Sequence, residues 1–478
     1  MGKKKKAIMT LIEALVLISL AGCAGKKVDY GVDTEVKSQN VVSSVKDIDT
    51  NTSFNDELTV NVGDTEEKVK ITADVRLPEC DTMSVTEVER IPCTKEFKEK
   101  VIKAYFGDSQ VYYYDYAHMT KKELEEIIET LDRDNNSPPD DASEEILKWH
   151  DDMKTECTKA LETATDVWTE ATEYDSCDDF VGKIGDTWFH LQFSRAENDN
   201  SLLSGIQSYP LDRCVKRVSD GEPDEWSTIF DDGYVKQYYG PKSLKEYDTV
   251  TYFNGDFEGD LPVSDDNEAN ISVDEAKKKA DDFMQAIGIE SMIKTGESDC
   301  EWEGYNKTED NVYKEGDVHR AIWGYAFEYS LGADDVVYSK SLNIFDYSAY
   351  NKFCPMDCPG YETGSFNVNE YGVYRFDIAE PVSIVKKQQK VELLPVSNIY
   401  KIARNELESH PDKYIVEADT QYRYLTLGYI RVKDSSDSQR FSYIPAWSLE
   451  LQQRGEVESC PVFVNAIDGT VIEQEQIF

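Results

Sequence analysis

The stretch SVDEAKKKADDFMQAIGI, Ser272–Ile289, decides the expected fold because it predicts a well-defined amphipathic helix in an acidic chain. Ser272 and Glu275 form a capping box, in which each side chain satisfies a backbone N–H that the first helical turn leaves free. Apolar residues then recur at intervals of three and four, so we expect one face of the helix to meet a core. These residues are Ala276, Ala280, Phe283, Met284 and Ile287.

Strand patterns follow this helix at residues 320–331 and 336–345. The same order begins again at Val396, where a second helix places Ile399, Ile402, Ala403 and Leu407 on one face. Strand patterns at 421–432, 442–451 and 462–472 come after it. The sequence therefore predicts a helix followed by antiparallel strands, twice.

Two stretches in this part of the chain resemble PepSY-like units, which combine a helix with antiparallel strands. The segment ISVDEAKKKADDF is similar to their opening helix, and YIPAWSLELQQRGEVESCPVFVNAIDGTVIEQE is similar to their last strands. The residues that carry the second similarity are Pro445 and Trp447 on one strand, and Ala466, Asp468, Gly469, Val471 and Ile472 on the next. Asp468-Gly469 is typical of a tight turn.

The resemblance covers about residues 270–478. Tandem units of this kind occur in extracytoplasmic regulatory lipoproteins of the YycI and YycH type, and in uncharacterised lipoproteins of Gram-positive anaerobes. The chain as a whole is most similar to the latter group. The resemblance implies an extracytoplasmic, regulatory or binding role and transfers no catalytic residue.

The region before Ser272 also mixes strand and helix patterns. Strands are expected at 58–62, 69–78 and 111–114, helices at 94–105 and 120–131, and a β-hairpin at 180–194 that turns at Gly185-Asp186. The second of these helices begins at a capping box of Thr120 and Glu123. A long helix is expected over 143–171, with an apolar stripe of Ile146, Trp149, Met153, Cys157, Ala160, Ala164 and Val167.

The expected fold class is therefore α+β, with an N-terminal α+β region that contains the long helix, followed by two helix-plus-antiparallel-sheet units. The expected domains are a signal peptide at 1–22, a lipidated cysteine and flexible tether at 23–55, an N-terminal domain at 56–265, and PepSY-like units at 266–395 and 396–478.

The amino terminus has the pattern of a secretion signal. Four lysines, Lys3–Lys6, precede an apolar run at 7–20 that only Glu13 interrupts. A membrane-spanning helix needs about twenty apolar residues, so this run favours a cleaved signal peptide over a permanent span.

Leu20, Ala21, Gly22 and Cys23 then match the lipobox of bacterial lipoproteins. The resemblance implies that a diacylglyceryl group is attached to the Cys23 thiol and that the signal peptidase cuts before Cys23. Leu20, Ala21 and Gly22 would be the residues that this peptidase recognises. Two acyl chains of such a lipid, at about 0.8 kcal/mol per buried methylene, give a stable membrane anchor.

The charge of the chain restricts its partners. Processing would remove four lysines and one glutamate, which takes the formal net charge from −43 to −46. So acidic a chain is not expected to bind nucleic acid or to dock on anionic lipid through charge. With 40% hydrophobic and 11% aromatic residues, it is nevertheless expected to fold.

Ten cysteines are present, and lipidation of Cys23 would leave nine, so at least one thiol has no partner within the chain. Cys354 and Cys358 lie in a turn-rich segment and are either a small disulfide or two ordinary thiols. Cys80 with Cys93, and Cys157 with Cys177, are the other candidate pairs.

No catalytic motif is found, and neither a metal nor a cofactor is expected. The five histidines, at 118, 150, 190, 319 and 410, are not at metal-site spacing. Asp132, Asp134 and Asn136 have the spacing that begins a calcium loop, but Ser137 stands where that loop needs glycine. The tyrosines at 112–114 and 238–239 are either sheet packing or sugar-stacking platforms.

The sequence thus predicts a lipid-anchored protein on the outer face of the cell membrane that binds an envelope protein or peptide and has no catalytic activity. An exposed sheet edge is one way to bind such a peptide. The alternative is an envelope carbohydrate-binding protein or hydrolase that uses the abundant carboxylates and aromatic rings.

Overall fold

The computed structural model describes residues 41–50, 52–136, 144–185, 187–196, 199–211, 229–230, 233–234, 240–245, 247, 249–253, 263–307, 313–333, 335–338, 342, 362–388, 390–415, 421–433, 439–451, 461–473 and 476. Within them the helices are α1 Lys95–Phe106, α2 Lys121–Asn136, α3 Glu144–Leu161, α4 Val273–Ile287, α5 Val396–Ser409 and α6 Pro411–Tyr414, with short 3₁₀ turns at Val45–Asp47 and Lys242–Leu244.

The strands of the same residues outnumber the helices. They are β1 Ser53–Val62, β2 Thr65–Arg76, β3 Val85–Arg90, β4 Val111–Tyr113, β5 Asp179–Ile184, β6 Thr187–Ala196, β7 Asp199–Pro210, β8 Ile229–Phe230, β9 Gly233–Tyr234, β10 Thr249–Phe253, β11 Val263–Asn267, β12 Met292–Lys307, β13 Tyr313–Ala333, β14 Val336–Val337, β15 Thr363–Asn369, β16 Gly372–Ala379, β17 Val382–Gln388, β18 Gln421–Lys433, β19 Arg440–Leu451, β20 Val462–Asn465 and β21 Val471–Ile472.

The chain forms two compact units, and each contains distant parts of the sequence. The terminal unit comprises Met1–Arg90, Ser330–Tyr361 and Val382–Phe478, and the central unit comprises Ile91–Tyr329 and Glu362–Pro381, in each case as far as the residues are described.

One sheet forms the frame of the terminal unit. Its strand order is β1-β2-β18-β19, and β18 lies parallel to β2 although more than 300 residues separate them in the chain. The two halves of β19 pair on the same side with different strands, Arg440–Tyr443 with β3 and Ala446–Leu449 with β20. Strand β17 lies outside β3, and β21 lies outside β20. Helix α5 covers the sheet with the predicted residues Ile399, Ile402, Ala403 and Leu407, which are all buried.

The central unit is built on a second sheet with the order β10-β12-β13-β15-β16-β7-β6-β5-β4, and β11 pairs with β13. Helices α1 and α4 pack against each other over this sheet. The core between them is aromatic: the ring of Tyr105 on α1 contacts those of Phe189, Phe283 and Phe376 at centroid distances of 5.1–6.0 Å. Strands from both halves of the sequence therefore share one core.

The expected fold class is wrong. Strands dominate the described residues, a sheet is curled into a half-barrel, and no helix-plus-sheet PepSY-like arrangement forms. The physical reason is strand pairing: β18 and β19 pair with each other under α5, but they also pair with β2 and β3 from the N-terminal region, so their sheet does not close as a separate unit. In the same way, the strands that follow α4 join a sheet that continues into β7, β6, β5 and β4.

Several local predictions are confirmed. The capping box of Ser272 and Glu275 forms at the start of α4. A second one forms at α2, where the Thr120 N–H donates to Glu123 Oε2 at 2.8 Å. The hairpin of β5 and β6 turns at Gly185, whose φ of 63° suits glycine.

The expected long helix is wrong in its length. Helix α3 ends at Leu161 and not near residue 171, and a turn follows it. Cys157 is buried as expected, but Trp149 and Val167 of the predicted stripe are 59% and 51% exposed. The stripe therefore faces a core only in its middle.

Candidate ligand-binding groove

The predicted lipidation site, Leu20, Ala21, Gly22 and Cys23, lies outside the described residues, and so do Cys354 and Cys358. Cys93, Cys157 and Cys177 are free thiols, so the candidate disulfides Cys80–Cys93 and Cys157–Cys177 are wrong. Burial raises the pKa of the Cys177 thiol to about 12, so it stays protonated at neutral pH. No helix among the described residues is long and apolar enough to cross a membrane.

The histidines form no metal site among the described residues. Among the residues that the structure describes, no group of three or more His, Cys, Asp or Glu side chains is placed to hold a metal ion. Asp132 lies in the last turns of α2, where it pairs with Lys154 on α3, so this segment is helix and not a calcium loop.

His190 has a hydrogen-bond partner on each of its ring nitrogens. Its Nε2 lies 2.9 Å from Asp179 Oδ1, and its Nδ1 lies 2.6 Å from the Tyr209 hydroxyl. Because a carboxylate accepts, Nε2 donates to Asp179, and in the neutral form of the ring Nδ1 then accepts from the Tyr209 hydroxyl. Asp179 also accepts from Gln192 at 2.9 Å, and these residues form a hydrogen-bonded row across β5, β6 and β7.

The tyrosines at 112–114 are packing residues and do not form an open platform. The Tyr112 ring contacts the rings of Trp168 and Trp188 at 5.9 and 5.8 Å, and the two tryptophans contact each other at 4.9 Å. Tyr113 is buried in the core of the central unit. Residues 238–239 lie outside the described residues.

An open groove of about 700 Å³ lies in the central unit between residues 99–111 and residues 170–174. One wall is the C-terminal half of α1 together with the turn that leads to β4. The other wall is the segment after Thr169, which is hydrogen bonded to β4 because the Ala171 N–H donates to the Val111 carbonyl at 2.9 Å. A volume of this size accepts a small molecule or a few side chains of a peptide.

This groove, called the acidic groove below, is lined by apolar side chains, called its floor, and by charged side chains, called its rim. Ile102, Val111 and Ala171 are buried side chains of the floor, and the half-buried ring of Tyr174 lies beside them. The rim carries three carboxylates, those of Glu99, Asp108 and Glu170, and one ammonium group, that of Lys103. The C-terminal end of α1, capped by Gly107, adds the negative end of a helix dipole.

The pKa of Tyr174 shows the effect of the acidic side chains in the groove. Burial and the neighbouring carboxylates of Glu99 and Glu170 raise the pKa of the Tyr174 phenol above its ordinary value. The phenol is therefore neutral at physiological pH. The carboxylates that raise its pKa favour a cation in the same place.

A buried lysine holds the segment that carries Tyr174. The Lys98 side chain is 1% exposed, and its Nζ donates to the carbonyl oxygens of Tyr174 at 2.9 Å and of Cys177 at 2.7 Å. It also lies 2.5 Å from Asp178 Oδ1, and Arg195 donates to both oxygens of the same carboxylate. Lys98 thus ties α1 to the segment between Tyr174 and β5.

Sequence reasoning missed this groove, although one signal for it was present. Lys98 occupies the same helical face as Val101, Ile102 and Tyr105, which are all buried. A lysine at an apolar position of an amphipathic helix must find acceptors in the core. That rule predicts a buried cation with a carboxylate partner, but it does not say which of the many carboxylates is the partner.

Comparison with known proteins adds little to this geometry. No protein-family model and no curated protein matches the chain. Among solved structures, the chain is similar to an uncharacterized protein from Eubacterium rectale ATCC 33656, with 12% identity over 90% of this chain and 96% of that chain, and a TM-score of 0.29. Values this low assign neither a fold nor a function.

The Asp178 carboxylate gives a testable dependence of stability on pH. Burial alone would raise its pKa, but hydrogen bonds from Arg195 and Lys98 outweigh burial and hold the pKa below its ordinary value. The stabilisation is present above the ordinary pKa of about 4 and is lost as the pH falls through the lower folded value. Asp178→Asn should cost about 2–4 kcal/mol of unfolding free energy at pH 7, because it leaves Lys98 buried without its counter-charge.

Urea unfolding of the wild type and the variant between pH 3 and pH 7 measures this effect. The two curves should converge in acid, and the exposed control Asp175→Asn should lie within about 0.5 kcal/mol of wild type throughout. Parallel curves for Asp178→Asn and wild type would show that Asp178 does not compensate Lys98.

Proposed function

We propose that this chain is a lipid-anchored extracytoplasmic binding protein that recognises a positively charged peptide segment of another envelope protein. The observation that carries the proposal is the acidic groove, whose lining combines three carboxylates and a helix C-terminus with apolar side chains. A lysine or arginine side chain has the matching form, since its apolar stem lies along apolar surface while its charged head reaches carboxylates.

The groove favours binding over chemistry. Its ionisable groups are carboxylates, one exposed lysine and the Tyr174 phenol, and the raised pKa of Tyr174 keeps this phenol protonated and a weak nucleophile. Charge complementarity of this kind supplies specificity and a fast association rate. The formal charge of −43 acts in the same direction, because it attracts cationic partners from a distance.

The lipobox at Leu20–Cys23 supports the location. A diacylglyceryl group on Cys23 would hold the chain at the outer face of the membrane, and the residues between Cys23 and Val42, where Val42 pairs with Leu393, would separate the folded part from the lipid. The packing of Tyr112 against Trp168 and Trp188 favours the peptide ligand over the carbohydrate ligand, because these ring faces already contact one another.

Groove variants test the ligand class. The probe is the acetylated peptide Ala-Lys-Ala-Lys-Ala, compared by calorimetry with the same peptide carrying glutamate in place of lysine. Glu99→Gln combined with Glu170→Gln should weaken binding of the lysine peptide about fivefold, because both residues are exposed and each ion pair at an exposed site contributes roughly 0.2–1 kcal/mol. Binding should also weaken as salt is added.

The matched control is Glu125→Gln combined with Glu129→Gln, which removes the same charge from the exposed face of α2. It should change the affinity less than about twofold if the charge acts locally and not through the whole molecule. Equal affinity for the lysine and glutamate peptides would reject the groove as a cation site.

Mass spectrometry of the amino-terminal peptide tests the anchor independently of the ligand. In the native membrane, the first residue should be Cys23 carrying a diacylglyceryl group, and Cys23→Ser should prevent both the lipidation and the cut. An unmodified chain that retains Met1 would reject lipid anchoring but would leave the groove result unaffected.

A further inference from the structure

The terminal unit has a long sheet edge that is built differently from its other edges. Strand β1 has ten residues and pairs with β2 in an unbroken antiparallel register from Ser53 to Val62. No other described strand pairs with the second side of β1. It contains neither proline nor a bulge, which are the usual devices that prevent an edge strand from adding a further strand.

The other two edges of the same sheet are protected. Strand β17 has a register shift between Ile384 and Lys386, and Lys386 and Lys387 follow at this point. Strand β21 has only two residues. Bulges, lysines and short length all discourage strand addition, so β1 is the edge on which this protection is missing.

The register shows which backbone groups of β1 face outward. Val62 and Thr65 flank the two-residue turn at Gly63-Asp64, so they exchange both of their backbone hydrogen bonds. Hydrogen-bonded pairs recur at every second residue of an antiparallel ladder. The N–H and C=O groups of Val60 and Leu58 therefore point toward β2, as those of Val62 do. Val62, Val60 and Leu58 face β2, and Asn61 and Thr59 face outward.

The side chains of the outward-facing residues Asn55, Thr59 and Asn61 are exposed, and no described hydrogen bond uses their N–H groups. Glu57 also belongs to the outward set, but its N–H donates to the Asp56 carboxylate at 3.2 Å. A row of donors and acceptors with this spacing is complementary to one kind of ligand, another extended backbone.

The net charge of the chain selects the occupant. The two carboxylates in the middle of β1 already have partners, because Asp56 pairs with Arg404 at 2.6 Å and Glu57 pairs with Lys68 at 3.5 Å. The whole chain nevertheless carries a formal charge of −43. A second copy would bring two such chains together against their mutual repulsion. We propose that β1 adds an extended segment of a different polypeptide, one that carries a net positive charge. This surface is separate from the acidic groove.

Hydrogen exchange at single-residue resolution tests this proposal on the full lipidated chain in detergent. The probe is the acetylated peptide Thr-Val-Lys-Val-Lys-Val-Thr. It should slow exchange at the Asn55, Thr59 and Asn61 amides by at least about tenfold, while Leu58 and Val60 are slow with or without it, because they bond to β2. The same peptide with proline in place of its middle valine should give no protection.

Two variants separate binding from folding. Thr59→Pro removes an outward N–H, which an edge strand tolerates, so Leu58 and Val60 should remain protected while the effect of the peptide is lost. Thr59→Val keeps the N–H and should bind as the wild type does. Three results would overturn the proposal: no alternating protection, protection that rises with protein concentration alone, or outward amides already slow in the free chain.

Discussion

The buried ammonium group of Lys98 is the constraint on which the central unit depends. A charge inside a core is tolerated only when charged and polar groups surround it, and removal of one partner leaves an uncompensated charge. Two carbonyl oxygens and the Asp178 carboxylate meet this requirement, and all three belong to the segment that leads into β5. The position of this segment against α1 forms the wall that carries Tyr174, and thus the acidic groove.

The same segment joins the groove to the sheet. Asp178 precedes Asp179, which begins β5 and accepts from His190 and Gln192 on β6. Lys98 and Arg195 bond to Asp178 from α1 and β6. The two adjacent aspartates therefore have different roles. Asp178 compensates the charge of the buried Lys98, and Asp179 aligns β5 with β6. In the terminal unit, by contrast, β1 is a regular edge, and no described strand pairs with its outward backbone groups.

Local features of this fold can be predicted from the sequence, and long-range pairing cannot. The turn at Gly185-Asp186 predicts that Asp179 faces Gln192 and that Val181 faces His190, and the structure has both pairs. The capping boxes of α2 and α4 are equally local. Nothing in the alternation of β18 says that its neighbour is β2, because many strands of this chain have compatible patterns. The PepSY-like expectation failed at that step. The groove was missed for a related reason, since its two walls are about sixty residues apart in the chain.

Zero-length crosslinking tests the central claim, that the carboxylates of the groove hold a cationic peptide. A carbodiimide joins a lysine ammonium only to a carboxylate that it contacts, and digestion followed by mass spectrometry then identifies the carboxylate. With the peptide Ala-Lys-Ala-Lys-Ala, the account predicts crosslinks concentrated at Glu99, Asp108 and Glu170. Crosslinks distributed over the acidic surface in proportion to the exposure of each carboxylate would contradict it.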